Sequence, residues 1–167
     1  MLRSSALLAQ GETEQAVAAI PERLAKPATI GAYQYRAYHL ALLSEVLDRM
    51  GNHDGALATL ADALAWVEQS GERWWEAEIH RLKGVSLRSQ ERFAESEASF
   101  EQSIRIARRQ QAKSLELRGA ISLARLRRDQ GKRKQAHDLL APIYAWFTEG
   151  FDTPDLEEAK ALLDELG

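Results

Sequence analysis

One recurrence constrains this chain more than any other feature. The turn Gly11-Glu-Thr-Glu-Gln-Ala16 returns as Gly51-Asn-His-Asp-Gly-Ala56 and again as Gly131-Lys-Arg-Lys-Gln-Ala136. A degenerate copy, Glu91-Arg-Phe-Ala-Glu-Ser96, lies between the last two. Ala16, Ala56, Ser96 and Ala136 are therefore 40 residues apart. Such a period belongs to stacked supersecondary units. Twelve residues before each come Ser4, Ser44, Gly84 and Ala124, all small. Ile20, Leu60, Phe100 and Leu140 follow four residues after, and Leu7, Leu47 and Leu87 align in the preceding segment until Arg127 breaks the set. Two helices of a hairpin approach closely only where facing side chains are small, with larger apolar groups filling the flanks. A glycine after the first helix supplies the left-handed residue that turns the chain.

Helices are expected over about 1–10, 12–25, 30–50, 53–69, 72–90, 92–109, 112–130, 133–148 and 153–166, with Pro21 bending the second. The units are about 1–28, 29–70, 71–110 and 111–150, and the helix at 153–166 is a cap. Thr153 is its expected N-cap, Pro154 its first position and Asp155 a complement to its dipole. This cap is expected to cover Tyr144, Trp146 and Phe147, with Asp155, Glu157, Glu158, Asp164 and Glu165 facing water. Trp74 and Trp75, adjacent on a helix, point about 100° apart, so one packs between units and the other reaches the surface.

Glycine, alanine five residues on, an aliphatic or aromatic residue four further, and a small residue twelve before the alanine resemble the tetratricopeptide pattern. The period of 40 exceeds the usual 34 or so. Two stretches resemble recurring segments of the C-terminal repeats of bacterial multidomain signalling ATPases and adenylate or guanylate cyclase-type proteins. These are Gly71-Glu-Arg-Trp-Trp-Glu-Ala-Glu-Ile-His-Arg-Leu-Lys-Gly84, and Phe93 through Arg118 to Phe147-Thr-Glu-Gly-Phe-Asp-Thr-Pro-Asp-Leu156. The resemblance implies a single domain cut from a longer bacterial, cytoplasmic protein, and a right-handed all-α solenoid of antiparallel hairpins. It carries over none of the parent's ATP-binding or cyclase motifs.

Chemistry is sparse. There is no cysteine, so disulfides and thiolate chemistry are excluded. Neither a phosphate-binding Gly-x-x-x-x-Gly-Lys-Ser/Thr loop nor a Gly-x-Ser-x-Gly turn occurs. His39, His53, His80 and His137 have no helical metal-site spacing. No enzyme activity, metal or cofactor is expected, and no apolar run is long enough for a membrane span. With 22 basic against 25 acidic residues, the charge argues against nucleic acid, although Arg125, Arg127, Arg128, Lys132, Arg133 and Lys134 cluster around one turn.

In tetratricopeptide folds the first helix of each unit lines the concave face. That register places Tyr38, Glu45, Asp48 and Arg49 there in the second unit, Glu78, Arg81 and Arg88 in the third, and Arg118, Arg125 and Arg128 in the fourth. Arg118, Arg125 and Arg128 follow steps of seven and three, which keeps them on one helical face. Two readings of this surface stay open. In one, the arginines contact a protein or peptide partner, including other domains of the parent chain; in the other, they hold a small anionic ligand. Against both stands a solvated face whose arginines pair with Glu78 or Asp129. The apolar residues Leu2, Leu7, Leu8, Val17, Ile20 and Leu24 lead to a further expectation, an end-to-end dimer through residues 1–24.

Overall fold

A computed structural model describes residues 35–167. The helices expected over 1–10 and 12–25, the bend at Pro21 and the dimer surface of residues 1–24 lie outside the described residues. Within them the chain forms α1 (Arg36–Arg49), α2 (His53–Ser70), α3 (Glu76–Ser89), α4 (Phe93–Arg109), α5 (Lys113–Asp129), α6 (Arg133–Tyr144) and α7 (Pro154–Leu166). Each helix packs on the next in sequence. In addition α1 meets α3, α3 meets α5 and α5 meets α7, whereas no comparable packing joins α2 with α4 or α4 with α6. The first helices of successive hairpins therefore lie side by side, and the second helices splay outward. This is an α-solenoid.

Side chains at the small columns explain the hairpins. Ser44, Ala56, Ser96, Ala124 and Ala136 are buried, and the Ser96 hydroxyl donates to the Gly84 carbonyl at 2.7 Å. A Cβ on Gly84 would lie 2.4 Å from Phe100 Cε1, so glycine there is what lets the aromatic ring reach the α3 backbone. Phe100 is fully buried in a core shared by α4, α5, α6 and α7. A second core joins Ala37, Leu40 and Ala41 to Leu60, Ala63, Val67, Ile79 and Leu82.

The turns repeat more often than the 40-residue pattern shows. Gly51, Gly71, Glu91, Gln111 and Gly131 all have positive φ, one every 20 residues. At four of them the backbone bonds in the same way. The amide of the left-handed residue donates three residues back (Gly51 to Asp48, Glu91 to Arg88, Gln111 to Arg108, Gly131 to Arg128). The next amide donates five back (Asn52 to Leu47, Arg92 to Leu87, Ala112 to Ala107, Lys132 to Arg127). These paired bonds satisfy the last carbonyls of each helix.

Several expectations are corrected. The helix expected from residue 72 starts at Glu76, so Trp74 and Trp75 sit in the preceding turn. There they gather with Tyr35 and Tyr38, Trp74 at 5.8 Å from Tyr38 and 5.1 Å from Trp75. Trp75 packs against two cores while Trp74 is exposed. The helix expected to reach 148 ends at Tyr144, two residues beyond Pro142, whose missing N–H removes a helical bond. Thr153 precedes α7, but its hydroxyl donates back to the Gly150 carbonyl and caps nothing. Finally, α7 buries Leu156, Ala159, Leu162 and Leu166 and packs with Tyr144 and Phe147, yet leaves Trp146 exposed.

Candidate functional site

The inner surface made by α1, α3, α5 and α7 is the candidate site, and its arginines are bonded within the chain. Arg81 grips Glu78 through Nε at 3.0 Å and Nη2 at 2.8 Å. The same carboxylate accepts Arg118 at 2.9 Å from the next first helix. With side chains 4% and 14% exposed, Glu78 and Arg81 form a buried pair. Its loss would leave a charge uncompensated, at a cost of about 3–5 kcal/mol. Arg118 also faces Asp155 at 3.9 Å. Arg125 meets Glu158 at 2.7 Å, and Arg128 bonds both Asp129 and Glu165 at 2.8 Å.

Three carboxylates of α7 thus lie along the arginine row of α5. Asp155, Glu158 and Glu165 were expected to face water, and this is a correction. The row and its acids run in the same direction because α5 and α7 are both first helices, separated by α6. Displacing α7 to free the arginines is excluded on energy. Exposing Leu156, Leu162 and Leu166 costs about 1.5–3 kcal/mol each, against at most about 1 kcal/mol for an exposed ion pair.

The remaining residues are more open. Arg49, 49% exposed, bonds Glu45 at 3.2 Å, and Arg88, 40% exposed, stands 3.7 Å from Asp129, beyond hydrogen-bond reach. Between α1 and α3 a cleft of about 160 Å³ is lined by Glu45, Asp48, Arg49, Arg81, Leu82 and Val85, among others. It is smaller than the roughly 300–1,000 Å³ of small-molecule pockets. Asp48 is engaged across the turn with His53 Nδ1 at 2.8 Å. Tyr38 belongs to the aromatic cluster at the start of α1 and lines no part of the cleft.

The structure therefore divides the eight predicted residues. Glu45, Arg49 and Arg81 converge on the cleft; Arg81, Arg118 and Arg128 hold the first helices together; Arg88 and Arg125 lie on the inner surface in loose or exposed pairs. Tyr38 stands apart with the aromatic rings. The basic turn is likewise neutralised. Arg127 bonds Glu97 and Glu101, Lys132 faces Glu97, Lys134 pairs with Asp138 and Arg133 donates to the Glu165 carbonyl. No group of metal-ligating side chains occurs among the described residues, and no helix there is long and apolar enough to cross a membrane.

Comparison with known proteins agrees with this geometry. The tetratricopeptide repeat family matches residues 33–109. A solved structure of the nearly identical tetratricopeptide-like repeats of a Podosopora anserina protein, assigned as a kinesin light chain, superposes with a TM-score of 0.69 at 15% identity. The match covers 98% of this chain and 81% of that one. A variant of the same repeats gives a TM-score of 0.70, with the same identity and coverage. No curated protein sequence matches. The chain carries a tetratricopeptide repeat match over residues 33–109, and its fold is that of a tetratricopeptide-like α-solenoid.

Proposed function

We propose that this chain is a non-catalytic scaffold whose inner surface binds a peptide or helix of a protein partner. Tetratricopeptide repeats generally mediate protein–protein contact, and such folds are typically scaffolds without chemistry of their own. The observation that carries the reading is the mixed inner surface. Arg49, Arg88 and Arg125 sit in exposed pairs that cost about 1 kcal/mol or less to open, while the buried pair beneath fixes the curvature. A long peptide can exchange several such contacts in turn. The partner is proposed to be another domain of a longer cytoplasmic bacterial signalling protein, with units near 29–70, 71–110 and 111–150 and α7 closing the stack.

A small anionic ligand in the groove is the rival, and the engagement of Arg81, Arg118 and Arg128 weighs against it. Photo-crosslinkers placed in cells at Arg88 and Arg125, compared with outward positions Glu101 and Asp138, test the proposal. One protein partner captured from the inner positions alone, and lost in an Arg88→Glu, Arg125→Glu variant of unchanged helicity, supports it. Equal capture from both surfaces overturns it. Saturable heat from a metabolite panel, without protein capture, favours the rival.

A further inference from the structure

The arginines of the inner surface and of the basic turn all face an acidic or carbonyl oxygen, and that makes one exception informative. Lys83 of α3 and Arg105 of α4 form no ion pair or hydrogen bond among the described residues. Both act on the half-buried imidazole of His80. Arg109, one turn beyond Arg105, has no partner among the described residues either.

The reason lies in how the hairpin distributes its acids. On α3, Glu76 is taken by Arg73 and Glu78 by Arg81 and Arg118. On α4, Glu95 is taken by Arg92, and Glu97 and Glu101 by Arg127. Glu95 reaches Lys83 only through space. On the neighbouring α2, Asp54 accepts from Gln90 and Glu68 from Arg73, while Asp62 is exposed. The hairpin is pulled together by the Ser96–Gly84 bond and by Phe100 against Gly84. That register sets the 80–83 turn of α3 against the 100–105 stretch of α4. At 100° per residue, His80 and Lys83 fall on the side of α3 turned away from Arg81 and Arg88. The cluster is therefore distinct from the inner surface.

We propose that His80, Lys83 and Arg105 form an oxyanion site on the outer side of the α3–α4 hairpin, fitted to a phosphate group that is free or carried as a small phosphomonoester. Lys83 and Arg105 supply the charge-assisted donors. His80, neutral at physiological pH, donates one ring N–H. Its pKa is pushed down to about 4 because burial strips water from the imidazolium and because Lys83 and Arg105 repel it. An anion between the three groups offsets that repulsion and raises the His80 pKa again.

NMR titration of the His80 ring, assigned with His80→Gln, reads the site directly. Inorganic phosphate at about 20 mM, against chloride of equal ionic strength, is expected to move the His80 midpoint up by about one pH unit. At pH 7, phosphate should shift residues 80–84 and 101–105 saturably, with a Kd in the millimolar range. The Lys83→Gln, Arg105→Gln variant should begin with a higher His80 midpoint, since the repulsion is gone, and should not respond to phosphate. Phosphoserine acting at lower concentration than phosphate identifies a monoester as the ligand, and the reverse identifies free phosphate. A phosphate response equal in the double variant, an equal response to acetate, or none in wild type overturns the site. The outcome is independent of the inner groove, whose crosslinks are read elsewhere.

Discussion

The two helical glycines at packing seams give opposed expectations for the same substitution. In Gly84→Ala the new methyl would stand 2.4 Å from Phe100 Cε1 and 2.5 Å from Cδ1, where carbon atoms prefer about 3.5–4.0 Å. The ring is fully buried and has nowhere to withdraw, and the Ser96 hydroxyl bond to the Gly84 carbonyl is strained as the helices part. Overpacking of this kind costs about 1–3 kcal/mol, and the closeness of the contact puts it at the upper end. Replacing a mid-helix glycine by alanine offsets about 1 kcal/mol of this. The net expectation is a loss of about 1–2 kcal/mol, a fall in Tm of about 2–8 °C at this size. At Gly119 the nearest atoms are Ile104 Cγ1 at 3.0 Å and Ser103 Oγ at 3.1 Å. Small side-chain shifts relieve those contacts, so Gly119→Ala should be within about 1 kcal/mol of wild type. Urea and thermal unfolding followed by circular dichroism compare the two, and Phe100→Leu in the Gly84→Ala background should recover part of the loss. A Gly84→Ala protein as stable as Gly119→Ala would refute the close-approach argument.

Other outcomes follow from single features. Glu91→Gly and Gln111→Gly relieve side chains held at φ 59° and 55° and should each add about 0.5–1 kcal/mol, read as a higher urea midpoint. Glu78→Ala strands Arg81 in a buried setting and should cost about 3–5 kcal/mol, whereas Glu158→Gln, breaking an exposed pair, should cost about 1 kcal/mol or less. His80 titrates near 6.5 when unfolded and near 4 when folded. Below pH 6.5 the unfolded chain takes up a proton that the folded one refuses. Stability should therefore be full above that pH and fall toward pH 4, by at most about 3 kcal/mol. A His80→Gln protein with the same acid slope would show that another group is responsible. Leu162→Ala, removing a buried anchor of α7, should cost about 2–5 kcal/mol and raise hydrogen exchange in α5 and α6.

The hairpins were legible because they depend on neighbours in sequence. Small columns at Ser44 and Ala56, Gly84 and Ser96, and Ala124 and Ala136 mark close approach within one unit, and the helix boundaries between residues 92 and 130 follow within a residue. Contacts between non-consecutive helices were not legible in the same way. Glu165 of α7 lies 37 residues beyond the Arg128 it meets. Only the packing of first helix on first helix brings Asp155, Glu158 and Glu165 to Arg118, Arg125 and Arg128. Arg127 read as a fault in an apolar column. Its guanidinium in fact crosses to Glu97 and Glu101 of α4, an ionic contact where other units use leucine. The late start of α3 was hidden too, because ring packing among Tyr35, Tyr38, Trp74 and Trp75 overrides the helix propensity of residues 72–75. Inner-surface placement came from the fold, but which arginines stay open there depended on partners that no spacing discloses.

Turns that recur every 20 residues, in a chain whose faces recur every 40, impose a parity rule on its evolution. Excising one helix and its turn would leave a backbone still able to coil, since most junctions bond alike. Every helix downstream would then exchange roles. The α5 face bearing Arg118, Arg125 and Arg128 would turn outward, and the outer helices α4 and α6 would be asked to line the groove with surfaces that lack it. Gly84 would no longer meet Phe100. Growth and loss are therefore tolerated in pairs of helices, and an odd number scrambles inside and outside without breaking the chain's geometry. Backbone alone permits the half step; side chains forbid it.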